Sequence, residues 1–403
     1  MVSSRGNLVV AQSGGPTVAI NSSLVGVVHE ALGQDAIAGI YGAQYGIDGV
    51  LHENLIDMRL VPADVLTGLR RTPAAALGAI RHNLTDVDCE RILEVFRAHG
   101  IRYFFHIGGN DSMDTTHRVH QMALAANYEL FVIGIPKTVD NDLVGTDHCP
   151  GYGSAARFVA MAMRDTGFDT EAMTLSSPVK IMEIMGRNAG WLTASTVLGR
   201  EGPGSAPHLV YVPERPVTSE TLLAEVEACH KRLGRVVIAL SEGARDLKGE
   251  TLGSALQPKE VDAFGHRMKG GAADGVARLI TEELGLKARV DKPNYLQRSF
   301  MACASSVDLE EAYLVGRAAV RAAMAGESDK MISLVRASSA PYRCGTGIVA
   351  LSQVANQERK LPEAYVDRAT GEITPAFVAY AGPLIGEPLV PYARLAAHYV
   401  ERA

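Results

Sequence analysis

Two polar clusters set the chemistry this chain could perform. One is His106-Ile107-Gly108-Gly109-Asn110-Asp111-Ser112, the other Pro136-Lys137-Thr138-Val139-Asp140-Asn141-Asp142. Each directly follows an apolar run, Tyr103-Phe104-Phe105 and Leu130-Phe131-Val132-Ile133. The glycine pair offers close backbone approach to an anion. The second cluster offers two carboxylates and a lysine. A carboxylate in a loop after a strand can take a proton from a hydroxyl, and Asp140 is so placed. Asp142, two residues on, would point to the same side of an extended loop. Two nearby carboxylates also suit Mg²⁺, which takes oxygen ligands and few protein contacts. Together these groups suit phosphoryl transfer, which is mostly positioning and charge neutralisation. The bland alternative is an Asx-rich turn. Lys137 and the upstream glycines favour the chemical reading.

The elements that must hold these residues follow from hydrophobic spacing. Ser112 to Ala126 alternates at helical period, so the order is strand, Gly turn, helix, strand, acidic loop. In a parallel sheet both clusters would end strands, where ligands bind. Leu8 to Ala11 reads as a strand and Val18 to Ala31 as a helix. The turn between, with Gly14 and Gly15, would then aim backbone N–H groups at a phosphate; a plain βα turn is the commoner reading of such a pair alone. Further strands are expected at Val179 to Met185 and Val236 to Leu240. Three more charged positions are read as ending strands: Arg187 after Met185-Gly186, Glu242 after Ser241, and Arg298 after Asn294-Tyr295-Leu296-Gln297. Arginines so placed read phosphate bidentately and a carboxylate reads sugar hydroxyls, although each alone also reads as a surface ion pair. Helices are expected over 155–167, 219–233, 272–284 and 309–325. Strands alternating with helices imply a doubly wound α/β architecture. Of the rest, His106 reads as a satisfied core residue, His148 as a loop residue and Arg81 as a solvated charge. Beyond Met331 only Gly347 to Leu351 is strand-like, and no motif explains the extension.

Composition bounds the partners. A chain of 403 residues implies roughly two or three domains. A net charge of -6 argues against nucleic acid or an anionic membrane as partner. The five cysteines are scattered without a CxxC pair, which points to free thiols rather than disulfides or zinc. The histidines show no HxxxH spacing. No apolar run is long enough to span a membrane, and the start shows no signal-peptide h-region. A cytoplasmic protein is expected.

Taken together, the clusters resemble the phosphofructokinase family. Ser13-Gly14-Gly15, Gly108 to Ser112, Thr138 to Asp142, Met185-Gly186-Arg187, Glu242 and Tyr295 to Arg298 occur in that family's order. The resemblance implies a phosphofructokinase-like fold of two doubly wound, Rossmann-like α/β domains with a cleft between them. Residues 1–150 with 300–403 would form the phosphoryl-donor domain, extension included, and 151–299 the sugar-phosphate domain. It also implies phosphoryl transfer to the 1-hydroxyl of fructose 6-phosphate, with Mg²⁺.

Within the family the chain resembles the pyrophosphate-dependent branch. ATP-using members have glycine where Asp111 and Lys137 stand. A carboxylate at Asp111 would repel the α-phosphate of ATP, and Lys137 would neutralise the short, highly charged diphosphate. The resemblance makes Asp140 the general base, with Lys137 and Asp111 beside it. Gly14, Gly15 and Ser112 would approach the diphosphate. Thr138, Val139, Met185, Gly186, Arg187, Glu242, Tyr295, Leu296, Gln297 and Arg298 would bind the sugar phosphate. Arg289 matches a phosphate-binding arginine that ATP-dependent relatives contribute across a subunit interface, so a homodimer or homotetramer is expected. Lys180 is the nearest cation to the second such position. Asn110 and Asp142 would be the metal contacts, although many members have an acidic residue where Asn110 stands. Two other readings are an ATP-dependent phosphofructokinase and a non-catalytic sugar-phosphate-binding subunit. Asp111 and Lys137 disfavour the first, and the presence of Asp140, Arg187 and Arg298 the second.

Overall fold

The computed structural model describes residues 5–80, 82, 84–254, 271–396 and 398–401; Arg81 lies outside them. The described strands are β1 (Gly6–Gln12), β2 (Ile37–Ala43), β3 (Leu55–Asp57), β4 (Ile101–Gly108), β5 (Phe131–Pro136), β6 (Val179–Ile184), β7 (Leu209–Tyr211), β8 (Val236–Ser241), β9 (Ala288–Asp291), β10 (Lys330–Ser339) and β11 (Tyr342–Ala350). They form two sheets. The larger has the order β11-β10-β5-β4-β1-β2-β3 and the smaller β7-β8-β6-β9. The pairings are parallel except β2–β3 and β10–β11 at the two edges of the larger sheet.

Burial explains the central strands. Leu8 to Ala11 and Tyr103 to Phe105 are wholly buried, the continuous apolar pattern of a parallel strand covered on both faces. The chain passes from β1 to β2 on one side and later sets β4 on the other side of β1. That reversal opens a crevice at the carboxyl ends of β1 and β4, the usual ligand position in such sheets. Ser13 to Pro16 and Gly109 to Asp111 leave the sheet there.

The helix Ser306–Met324 brings the chain back onto the larger sheet, packed against Ile20–Ala31. The two axes approach closely because Gly26 faces the Tyr313 carbonyl and Gly316 faces the Ser23 carbonyl, where any Cβ would collide. Glu30 pairs with Arg317 at 2.7 Å and Arg321 at 2.8 Å. The chain then lays β10 beside β5 and hairpins into β11. Beyond β11 it crosses over: Leu361, Val366, Phe377 and Leu384 share one core with Val159, Trp191, Val237 and Ala239 of the smaller-sheet unit. The extension therefore touches both halves. Among the described residues, no helix is long and apolar enough to cross a membrane.

Candidate active site

The two sheets present their carboxyl-end loops to one cleft of about 840 Å³. One wall comes from the loops after β1, β4 and β5, the other from the loops after β6, β8 and β9. Of the residues expected at the site, Gly14, Gly15, Asn110, Asp111, Ser112, Lys137, Thr138, Val139, Asp140, Asp142, Met185, Arg187, Glu242, Tyr295, Gln297 and Arg298 line it. Gly186, Leu296 and Arg289 do not. Gly186 supports it instead, donating its N–H to Glu242 Oε1 at 3.3 Å, and Leu296 and Arg289 are exposed elsewhere on the surface.

The wall after β1 and β4 is built on glycine. At Gly108 a Cβ would collide with Ser112, so only glycine lets β4 turn straight into the helix Asn110–Ala125. Gly109 caps that helix without a side-chain hydrogen bond, leaving its positive end facing the cleft. Gly14 (φ 74) donates its N–H to the Ile80 carbonyl, and the next helix starts only at Ile20. The Ala19 and Ile20 N–H groups at its start donate to Thr17 Oγ1, whereas the helix after Gly109 has no side-chain cap.

Lys137 follows directly from β5. Its N–H donates to the Gly108 carbonyl, and its Nζ donates to the Gly15 carbonyl at 3.0 Å. The side chain is buried, so its charge acts where water screens little. Asp140 lies in a turn rather than an extended segment, and Asn141 between the two carboxylates adopts the left-handed conformation (φ 56). The pair shares the cleft through that turn, not through strand alternation. Burial raises the Asp140 pKa above the ordinary carboxylate value against the pull of Lys137. Burial and then the Asp140 charge raise Asp142 to about 6. Thr138 Oγ1 accepts the Asp140 N–H at 3.2 Å.

On the facing wall, Glu242 and the Met185–Arg187 loop are locked together, since a Cβ at Gly243 would strike the Arg187 carbonyl. Arg187 Nε lies 3.8 Å from Glu242 Oε1. Gln297 is buried and its Oε1 accepts the Met185 N–H at 3.0 Å. Arg298 ends no strand, contrary to expectation; it lies on the short helix Leu296–Ser299, its guanidinium 4.4 Å from the Tyr295 ring. That group spans the cleft, so that a Cβ at Gly15 would collide with it. Arg298→Ala is expected to raise the half-saturating concentration of the sugar substrate at least ~10-fold, the scale of one lost charged hydrogen bond. The effect on the donor should be smaller. Initial rates with each substrate varied in turn measure both, and an unchanged sugar constant would remove Arg298 from that side.

Other expectations are corrected. His106 is buried on β4 and bonded through Nδ1 to Thr116 Oγ1, but its Nε2 has no partner among the described residues. Burial lowers its pKa to about 4, so the ring is neutral, and it lines the cleft. His148 does lie in a loop, yet it is wholly buried between Asp147 and Glu311. Lys180 is buried and pairs with Asp291 at 3.0 Å. Sequence reasoning missed Glu358, which enters the cleft from the extension. Nothing in its local sequence, Gln357-Glu358-Arg359, marks it.

A half-buried carboxylate, a buried lysine and a helix end, facing arginines across a crevice, suit a phosphoryl-transfer site on a two-sheet α/β fold. The model of the family described as "Phosphofructokinase" matches residues 7–323, and the chain belongs to that family. It is 41% identical over 395 residues to a pyrophosphate–fructose 6-phosphate 1-phosphotransferase of Xanthomonas campestris pv. campestris, covering 96% of this chain and 94% of that protein. To the enzyme of the same name from Halomonas elongata it is 40% identical, covering 98% and 97%. A crystal structure of a pyrophosphate-dependent phosphofructokinase from Nitrosospira multiformis superposes with a TM-score of 0.88 at 37% identity, covering 97% of this chain and 94% of that one.

Proposed function

We propose that this protein is a pyrophosphate-dependent 6-phosphofructokinase, moving a phosphoryl group from diphosphate to the 1-hydroxyl of fructose 6-phosphate and back. The observation that carries this reading is Lys137, a buried cation tied to Gly15 at the foot of the donor wall. Diphosphate has no nucleoside to anchor it, so charge at its phosphates must hold it. In the forward direction Asp140 takes the 1-hydroxyl proton as that oxygen bonds to phosphorus. The bridging P–O bond breaks and inorganic phosphate leaves with the electron pair. Lys137 and the open helix end after Gly109 balance charge on the transferring group. Arg187, Glu242 and Arg298 hold the sugar phosphate. In this reading 1–150 with 300–350 form the donor side and 151–299 the sugar side, while the extension to 403, expected on the donor side, packs against both.

Mg²⁺ fits the residues present. Asn110 Oδ1 is buried without a partner among the described residues, and Asp142 supplies a carboxylate to the same cleft. Among the described residues no cluster of three or more His, Cys, Asp or Glu could hold a metal alone, which suits an ion bound largely through substrate phosphates. Bound there, the ion would neutralise phosphate charge. Exposed Arg289 lies outside its own cleft, which supports a homo-oligomer, dimer or tetramer, in which it serves a neighbour. The protein would act in the cytoplasm.

Incubation with diphosphate, fructose 6-phosphate and Mg²⁺ should yield fructose 1,6-bisphosphate and phosphate, and excess EDTA should abolish this. Bisphosphate formation unaffected by EDTA would overturn the metal assignment. Its absence with diphosphate would overturn the donor.

A further inference from the structure

The segment after β11 returns to the loop that carries Asp140. Arg359 lays its guanidinium against that loop. Nε and Nη2 donate to the Asn141 carbonyl at 3.2 and 2.8 Å, and Nη1 donates to the Thr146 and Asp147 carbonyls at 2.8 and 2.7 Å. The Arg359 N–H donates to the Asp142 carbonyl at 2.7 Å. Tyr380, further along the same segment, donates its hydroxyl to the Asp147 carbonyl at 2.8 Å and accepts from Asn141 Nδ2 at 3.0 Å. Behind this clasp stands Trp191, its ring 4.6 Å from the guanidinium and its Nε1–H donating to the Arg359 carbonyl at 3.1 Å.

The loop needs such support. Between β5 and the helix Tyr152–Ala172 its ladder contact is the single bridge Thr138–Gly151. Asn141 sits in the left-handed region between the two carboxylates, a conformation asparagine tolerates but does not prefer. Its side-chain oxygen is held by the Cys149 N–H at 2.9 Å. Its amide nitrogen and its carbonyl are held by Tyr380 and Arg359, which are remote in sequence. Neither Arg359 nor Tyr380 lines the cleft.

We propose that Arg359 and Tyr380 are positioning residues that fix Asn141, and through it aim the Asp140 carboxylate at the acceptor hydroxyl. This rests on the reading of Asp140 as general base. A displacement of about 1 Å at reacting groups can cost about 10²-fold in rate, so the clasp should appear in turnover rather than in substrate affinity.

The test uses Tyr380→Phe, which removes one hydroxyl and keeps the ring, and Arg359→Lys, which keeps charge but loses the planar fork. Turnover should fall about tenfold in the first and about 10²-fold in the second, with both half-saturating concentrations within about threefold of the parent. Each substitution is then repeated with Asp140→Asn. With the base gone there is nothing left to aim, so the added loss should shrink to less than about twofold. A purely structural role would multiply through unchanged. Parent-like turnover in both single variants, or equal losses with and without Asp140, would overturn the proposal. The rates are compared with whichever donor the parent uses, so a wrong donor assignment shows separately, in the parent itself.

Discussion

Asp140→Asn should lower turnover at least ~10²-fold in both reaction directions while both substrates still bind, as expected for loss of a general base. On a transition-state scale that is about 2.7 kcal/mol. The substitution is nearly isosteric, so the Thr138 contact to the Asp140 N–H is retained. The parent's pH profile should carry the same signature. The base works only when deprotonated, and burial holds the Asp140 pKa above the ordinary carboxylate value. Turnover should therefore fall as pH drops, starting above the range of a solvated aspartate. Asp142, held at about 6 by burial and by the Asp140 charge, titrates with it, and the apparent values belong to the pair. In Asp140→Asn the Asp142 pKa should move down, because its like-charged neighbour is gone. Turnover within a few-fold of the parent in both directions would remove Asp140 from the role.

Lys137→Met should cut diphosphate-dependent turnover by ~10²-fold or more, the scale of losing one preorganised charge-stabilising group. Methionine is similar in length and apolar, so it can fill the buried space left by the lysine stem without its charge. The ammonium cannot be replaced from solution at that depth. Single-turnover rates isolate the step from product release, and a rate within a few-fold of the parent would show that the charge is not needed.

The parts of this site that were legible in the sequence are local. A glycine pair after an apolar run, or a carboxylate two residues from another, needs only its own neighbours to be placed. The helices Ser219–Leu233 and Ala272–Leu284 likewise end where their periodicity ends. The parts that were not legible depend on residues distant in the chain. β10 has a short apolar stretch and owes its place to β5, which precedes it by a whole domain. Asn141 is held by Tyr380 and Arg359, and neither Gln357-Glu358-Arg359 nor Ala379-Tyr380 shows a local pattern. After Gly15 the sequence leaves two readings open, because a βα turn and a phosphate loop share their first residues. Only the position of Thr17 against the helix start separates them. His106 reads as core from its apolar strand and is buried, yet its Nε2, without a partner among the described residues, emerges only once the crevice is built.

Donor choice tests the central claim most directly. Steady-state rates with fructose 6-phosphate and Mg²⁺ should be measured with diphosphate and with ATP at equal concentration, for the parent and for Asp111→Gly. Asp111 is exposed in the first turn of the helix after Gly109 and lines the cleft; on the proposed reading a nucleotide's α-phosphate would have to pass it. The parent should turn over robustly with diphosphate and little with ATP. Asp111→Gly should bind ATP detectably while losing part of the diphosphate reaction. A parent that prefers ATP would contradict the account, leaving its family membership and the Asp140 chemistry standing.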